Sequence, residues 1–234
     1  HPDLIVHLAA QSFVPQSYDN PTATVLANVH GTLNLLEAVR RNAPKARVVL
    51  VTSSEVYGDV PAADLPITER TRLAPASPYG ASKAAADLFG YAYWNSYKLD
   101  LVRVRNFTTS GPGRGAPFFD SAWCRQVALM ERGRQEPVLR VGNLDSVRTV
   151  MDVRDLVRAH ALAATRGESG AAYNVGGDET YSLHEIVELL RGLTSVKFSV
   201  EVDEGLLRPA DVTNQVPDTS AFRARTGWAP SIPY

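Results

Sequence analysis

Two side chains that together can move the proton of an alcohol lie one helical turn apart in this chain. Ser77 has the character of an N-cap and Pro78 that of a first helical residue. Tyr79 and Lys83 are therefore expected on one face of the same helix. A cation close to a phenol favours the phenolate and lowers a pKa that is ordinarily near ~10. Pairs with this spacing also occur on ordinary amphipathic helices, so the pair predicts a site only in suitable surroundings.

Two more reactive side chains follow a short β-branched run upstream. Residues 47–52 are typical of a strand buried on both faces, and Ser53 and Glu55 come directly after it. Ligands of open α/β sheets bind at this carboxyl edge. The Ser53 hydroxyl suits a sugar hydroxyl or carbonyl, and equally a cap of the following turn. In an apolar pocket Glu55 would have a raised pKa and serve as a general acid or base, whereas on the surface it is a solvated turn residue.

Composition limits the class of protein. The chain has 234 residues, 44% hydrophobic and 21% charged, enough for one large domain or one and a half. A net charge of -1 and the lack of a basic run argue against nucleic acid or a membrane as partner. One cysteine and scattered histidines predict no disulfide framework and no metal site. No apolar run reaches the about 18 residues that span a bilayer, and we expect a cytoplasmic protein.

Strand and helix patterns alternate along the chain. This order predicts an α/β fold with a doubly wound parallel sheet. The first pattern begins without any preceding segment, so we expect a fragment that lacks the N-terminal part of the sheet. The predicted strands are 3–10, 47–52, 101–105, 137–141, 172–175 and 196–202, and the predicted helices are 21–41, 77–97, 117–132, 152–166, 182–193 and 218–226.

Several motifs follow one another in a fixed order over nearly the whole chain. They are residues 7–10 (HLAA), 28–38, 53–58 (SSEVYG), 77–83 (SPYGASK), 111–113 (GPG), 152–155 (DVRD), 173–176 (YNVG) and 226–230 (TGWAP). On these motifs the chain resembles the extended short-chain dehydrogenase/reductases, in the branch that acts on nucleotide-diphosphate sugars. The resemblance implies a Rossmann-type sheet and a smaller C-terminal α/β substrate-binding lobe.

The resemblance also implies a domain organisation, a cofactor and an assembly. Residues 1–107, with 145–166 returning to them, would form a partial dinucleotide-binding domain. Residues 108–144 and 167–234 would form the nucleotide-sugar-binding lobe. The cofactor would be NADP or NAD, since the glycine-rich turn, together with the acidic or basic residue that selects between them, is absent from the chain. A homodimer or dimer of dimers would form through helices within 26–41 and 79–97.

Roles for individual residues follow from the same resemblance. Tyr79 would be the proton-transferring base, and Lys83 would lower its pKa and hold the nicotinamide ribose. Ser53 would hydrogen-bond the reacting sugar oxygen. The remaining cofactor contacts would be Leu8, Ala9, Ala10 and Thr52.

The pattern Ser53-x-Glu55 resembles the 4,6-dehydratases. In these enzymes the acid removes a proton beside the new ketone and helps to expel water from the sixth carbon of the sugar. Residues 11–12, 142–148 and 208–212 look most like enzymes of GDP-mannose metabolism. The implied reaction converts GDP-mannose to GDP-4-keto-6-deoxymannose. A reductase of that product, another nucleotide-sugar epimerase or reductase, and a non-catalytic relative are the alternatives.

Four residues are candidates for binding the substrate: Ser54, Asn106, Arg148 and Arg208. Guanidinium groups match phosphate oxygens, so Arg148 and Arg208 suit a pyrophosphate, although either also suits an ordinary surface position. Asn106 suits a substrate contact or a turn cap. Asn28 either orders the active site or faces solvent from its helix.

Overall fold

The computed structural model describes residues 2–234, which form an α/β structure. The strands are β1 (Leu4–His7), β2 (Arg47–Ser53), β3 (Leu101–Asn106), β4 (Thr109–Ser110), β5 (Val138–Val141), β6 (Val147–Thr149), β7 (Met151–Asp152), β8 (Ala172–Val175), β9 (Thr180–Ser182), β10 (Ser199–Val202) and β11 (Asn214–Gln215). The α-helices are α1 (Val14–Asp19), α2 (Pro21–Val25), α3 (Gly31–Asn42), α4 (Pro78–Tyr97), α5 (Phe119–Glu131), α6 (Val153–Arg166), α7 (Leu183–Gly192) and α8 (Ser220–Thr226).

The main sheet is parallel throughout and has the order β1-β2-β3-β8. Alternate residues of β2 face opposite sides, as a strand period of two requires. Val48 and Leu50 lie in one core with α3 and α4. Val49 and Val51 lie in a second core with α6. Helices therefore cover both faces, and the predicted doubly wound parallel sheet is confirmed.

The first strand differs from its prediction. Residues 3–10 were expected to form a buried strand, but β1 spans only Leu4–His7, and Leu4 and Val6 are 47% and 38% exposed. Within residues 2–234, β1 pairs on one side only, with β2, and therefore lies at the edge of the sheet. Apolar content alone does not distinguish a central strand from this edge strand.

A third core holds the C-terminal part of the chain together. It joins Trp123 and Val127 of α5, Leu139 of β5, and Ile186 and Leu190 of α7. β5 pairs with β10, and β6 lies between β11 and β9. The short strands β4, β6, β7, β9 and β11 have two or three residues each and so carry no readable periodicity. The predicted division into a dinucleotide-binding domain and a sugar-binding lobe stays a prediction.

Helix α4 is anchored at its start and along its length. The Ser77 side chain accepts a hydrogen bond from the Gly80 amide at 3.0 Å, which confirms the predicted cap. Further along, Asp87 is fully buried and accepts hydrogen bonds at 2.8 Å from Arg103 and Arg105 of β3. These charge-assisted contacts tie the helix to the sheet. None of the helices in residues 2–234 has the length and apolar character needed to cross a bilayer.

Candidate active site

The residues predicted to form the site meet at a cavity of about 460 Å³, where the strands of the main sheet end. Ala9 is exposed and does not border the cavity, whereas all the other predicted residues do. These are Leu8, Ala10, Thr52, Ser53, Ser54, Glu55, Tyr79, Lys83, Asn106, Arg148 and Arg208.

The turn after β2 places the two reactive groups that follow this strand. Ser53 Oγ accepts a hydrogen bond from the Glu55 amide at 3.2 Å and caps the 3-10 turn Ser54–Val56. Ser53 therefore has the capping role that the sequence analysis left as one of two alternatives. Ser53 also lines the cavity, so one hydroxyl shapes the turn and faces the site.

Two glycines allow close backbone contacts next to the cavity. Gly58 has φ +68°, and a Cβ there would lie 1.9 Å from the Ala74 carbonyl oxygen. A Cβ on Gly80 would lie 2.6 Å from the carbonyl oxygen of Glu55. Because Gly80 has no side chain, the first turn of α4 packs directly on the turn after β2. This contact brings Tyr79 to the same cavity as Glu55.

The electrostatics of the Tyr79–Lys83 pair differ from the expectation. Burial raises the pKa of Tyr79 to about 12, and the neighbouring Ser53 hydroxyl opposes this only in part. Lys83 Nζ donates to the Val51 carbonyl oxygen at 3.0 Å, and it makes no hydrogen bond to the Tyr79 phenol. The expected lowering of the Tyr79 pKa by Lys83 is therefore not seen in this arrangement. Burial lowers the pKa of Lys83 itself to about 8.

The residues around Lys83 fit the nicotinamide ribose of a dinucleotide. An ammonium group has three donors, and Lys83 uses one of them within the described chain. Leu8 and Ala10 follow β1 and supply apolar surface beside it. The Thr52 hydroxyl lies 3.3 Å from both Asp87 Oδ2 and the Val104 carbonyl oxygen, and Thr52 also borders the cavity, so its role as a cofactor contact stays a prediction. Its side chain is engaged with the protein.

Glu55 places a carboxyl group at the cavity. Its residue is half-buried, and its carboxylate accepts no hydrogen bond of 3.5 Å or less from residues 2–234. Burial raises its pKa, and the positive charges of Arg208 and Arg148 oppose the rise. A carboxyl group in this state suits proton transfer near neutral pH better than an ordinary surface glutamate does.

Two arginines form the cationic side of the cavity. Arg148 is 8% exposed and donates to the carbonyl oxygens of Val147 at 3.0 Å and Thr213 at 3.3 Å. It shares Asp211 with Arg208, at 3.7 Å and 3.9 Å respectively. Two guanidinium groups beside one carboxylate leave a net positive charge there. This charge suits an anionic ligand.

Three side chains at or behind this cavity were not predicted from the sequence: Gln215, His160 and Arg114. Ser54 donates to Gln215 Oε1 at 2.7 Å, and Asn106 Oδ1 lies 3.2 Å from His160 Nε2. Gln215 lies 161 residues after Ser54 in the sequence, so no local sequence pattern indicates that the two side chains meet. Arg114 also lines the cavity, from a glycine-rich segment that predicted only a turn.

Asn28 orders the site, which settles one of the alternatives left open by the sequence. The predicted helix 21–41 is interrupted by a π-helical turn, Leu26–His30, which contains this residue. Asn28 is buried, and its amide bonds the backbone of Gln11 at 2.8 and 3.0 Å and Ser82 Oγ at 2.9 Å. The segment after β1 is thereby joined to α4 between Tyr79 and Lys83.

Comparison with known proteins agrees with this fold. The family model described as GDP-mannose 4,6 dehydratase matches residues 1–234. A GDP-6-deoxy-D-mannose reductase from Pseudomonas aeruginosa is 33% identical over 231 residues, which are 99% of this chain and 76% of the reductase. The structure of RMD from Pseudomonas aeruginosa, complexed with NADPH, has a TM-score of 0.92 at 33% identity and covers 99% of this chain and 77% of that one.

A dTDP-glucose 4,6-dehydratase, DesIV from Streptomyces venezuelae, was solved with NAD and TYD bound. It has a TM-score of 0.86 at 29% identity, with 99% of this chain and 69% of that one covered. The fold is thus that of Rossmann-type short-chain dehydrogenase/reductases. The chain belongs to the GDP-mannose 4,6 dehydratase family, among the nucleotide-sugar dehydratases, epimerases and reductases of the extended branch.

Proposed function

We propose that this protein is an NAD(P)-dependent enzyme that acts on the fourth carbon of a nucleotide-diphosphate sugar, and that its reaction is the 4,6-dehydration of GDP-mannose to GDP-4-keto-6-deoxymannose. The observation that carries the proposal is the Glu55 carboxyl group, which has a raised pKa and shares a cavity with Tyr79. Oxidation or reduction at one carbon needs a single acid–base group. Loss of water needs a second one, and Glu55 supports that assignment.

Tyr79, Ser53 and Glu55 have separate roles in this reaction. A nicotinamide cofactor, when bound, supplies reversible hydrogen transfer. Burial raises the Tyr79 pKa to about 12, and the positive charge of an oxidised nicotinamide beside it would lower that pKa. Tyr79 then accepts the proton of the hydroxyl on the fourth carbon, while Ser53 hydrogen-bonds the same oxygen. Glu55 then takes the proton from the fifth carbon, which the adjacent ketone has made acidic, and delivers a proton to the hydroxyl leaving the sixth carbon. The hydrogen removed from the fourth carbon would return to the sixth carbon through the cofactor, and the fifth carbon would take back a proton that balances the one released by Tyr79. The net change is the loss of one water molecule.

The cationic side of the cavity supports a diphosphate substrate. Arg148 and Arg208 together carry more positive charge than Asp211 neutralises. Phosphate oxygens accept two parallel hydrogen bonds from a guanidinium group. Asn106 and Ser54 border the same cavity and are proposed to contact the substrate.

Reduction of a 4-keto-6-deoxysugar is the second candidate. The similarity to the Pseudomonas reductase, with a TM-score of 0.92 to RMD, favours it. In that reaction Tyr79 would donate a proton to the forming hydroxyl, and Glu55 would have no chemical step.

One incubation separates the two reactions. The protein is mixed with GDP-mannose and either NADP or NAD, and both the keto sugar and the cofactor absorbance are followed. Dehydration produces the keto sugar with no net change in the cofactor. Failure with GDP-mannose, together with stoichiometric oxidation of NADPH or NADH by a 4-keto-6-deoxysugar, would identify a reductase instead.

The proposal extends to assembly and location. Leu26 before α3, and Leu88 and Phe89 on α4, are apolar and exposed by 56%, 56% and 36%. Burial of such side chains in a homodimer would remove apolar surface from water. The near-neutral charge and the single cysteine suit an enzyme of the cytoplasm.

A further inference from the structure

A buried histidine stands behind the cavity and contacts one of the residues that line it. His160 lies on α6 and is 7% exposed. Its Nε2 is 3.2 Å from Asn106 Oδ1. His160 is not among the residues that border the cavity, and Asn106 is the cavity residue with which its side chain shares a hydrogen bond.

Asn106 occupies a position from which it can reach a substrate. It is the last residue of β3, and its Cα is paired with that of Ser53 across the parallel ladder. Its side chain borders the cavity. The contact with His160 is the one hydrogen bond that the amide side chain makes to residues 2–234. With Oδ1 turned towards His160, the Nδ2 group has no protein partner in that range.

The state of the imidazole decides which end of the amide faces the cavity. Burial lowers the pKa of His160 to about 4, so the ring is neutral at physiological pH. A neutral imidazole that carries its proton on Nε2 donates to Oδ1 and disfavours the flipped amide, which would set two donors against each other. Asn106 then presents a donor to the ligand.

We infer that His160 is a positioning residue, which holds the Asn106 amide so that Nδ2 donates a hydrogen bond to an oxygen of the bound nucleotide sugar. The identity of the ligand rests on the proposed function. The role of His160 rests on its own contact. A phenylalanine at this position would keep the ring but remove the donor, and the amide would then lose its fixed orientation.

A double-mutant cycle tests the inference on the cofactor-loaded protein. Dissociation constants for GDP-mannose and for GDP are measured by calorimetry for the wild type, His160→Phe, Asn106→Ala and the double variant. One neutral hydrogen bond corresponds to a change of about 3- to 10-fold, which we expect from each single variant. The double variant should bind no more weakly than Asn106→Ala alone, because His160 acts through Asn106.

Two further variants separate positioning from packing. His160→Gln restores a donor and should return the dissociation constant to within about twofold of the wild type, if one hydrogen bond accounts for the effect. Leu162→Ala removes apolar bulk from the same helix and core, and should lower stability without changing the dissociation constant. If His160→Phe does not fold, His160→Met takes its place as the variant without a donor.

The outcomes distinguish this inference from the function on which it rests. A loss seen with GDP-mannose but not GDP supports a contact to a sugar oxygen, and an equal loss with both supports a contact to a phosphate oxygen. Additive effects in the double variant, or no rescue by His160→Gln, would overturn the role of His160 while leaving the proposed function intact. A wild type that binds neither ligand contradicts the proposed function and this inference with it.

Discussion

Lys83 Nζ donates a hydrogen bond to the Val51 carbonyl oxygen at 3.0 Å, and this contact joins α4 to the strand that ends at Ser53. Lys83 is 7% exposed, and burial lowers the pKa of its ammonium group to about 8. The protein therefore keeps a charged group in a place where charge is unfavourable. A lysine held at such a cost in a cavity is a candidate functional residue.

Replacing Lys83 by methionine should stabilise the fold and abolish the activity. Below about pH 8 the Lys83 side chain is protonated in both the folded and unfolded states. The folded state is then destabilised by the whole free-energy cost of burying the charge. Methionine has no charge to bury, so we expect its free energy of unfolding at pH 7 to be about 1–3 kcal/mol higher than that of the wild type. As the pH rises from about 8 towards 10.5, the wild type loses its charge and the gain should shrink. Urea denaturation of both proteins at pH 7 and pH 10 measures this, and an unchanged difference would contradict it.

Gly80→Ala should destabilise the protein and reduce turnover, although alanine favours helices by roughly 1 kcal/mol. The added Cβ would meet the Glu55 carbonyl oxygen at 2.6 Å, and the start of α4 would have to move away from the catalytic turn. Gly31→Ala in α3 is the matched control, because nothing lies within 4 Å of its Cβ. The control should gain about 0.5–1 kcal/mol at unchanged activity. Thermal unfolding and kcat of both variants provide the comparison, and equal behaviour would refute the close-packing argument.

Arg208→Ala should weaken binding of the diphosphate without unfolding the protein. A charge-assisted hydrogen bond contributes about 1.5–3 kcal/mol, so KM for the nucleotide sugar should rise about tenfold or more. The dependence of KM on salt should also become weaker, since one of the cations is gone. Arg154→Ala is the control, because Arg154 is exposed and bonds Asp152 away from the cavity. A KM that responds equally to both substitutions would argue against a phosphate contact by Arg208.

Leu88→Asp should dissociate the proposed homodimer. Leu88 lies on α4 and is 56% exposed, so a charge there should not disturb the core of one subunit. Val157→Asp on α6, where the residue is 61% exposed, provides a control of similar exposure on another helix. Sedimentation velocity should show a dimer for the wild type and for Val157→Asp, and a monomer for Leu88→Asp. A monomeric wild type would contradict the proposed assembly.

The sequence was informative where a local pattern determines the structure. The β-branched run in β2 and the Ser77 and Pro78 start of α4 each depend on neighbouring residues, and both elements lie where they were predicted. Their reactive side chains also meet at one cavity, because consecutive parallel strands end at the same edge of the sheet.

The remaining features depend on contacts between distant segments. Nothing near Ser54 indicates Gln215, and nothing near Asn106 indicates His160. The pKa of Tyr79 was predicted from its neighbour in the helix, but burial, a property of the whole fold, dominates it. Similarly, helical periodicity reveals neither the π-helical turn that contains Asn28 nor the hydrogen bond from the Gln11 amide to Asn28.

The most direct test of the proposed dehydration follows a deuterium atom placed on the fourth carbon of GDP-mannose. With Tyr79 acting at that carbon and Glu55 at the fifth, the account predicts a 4-keto product that carries the deuterium on its sixth carbon. Glu55→Gln should prevent the label from reaching that position. Mass spectrometry and NMR of the product locate the atom. A wild-type protein that leaves labelled GDP-mannose unchanged, or that yields a product without deuterium on the sixth carbon, would contradict the account.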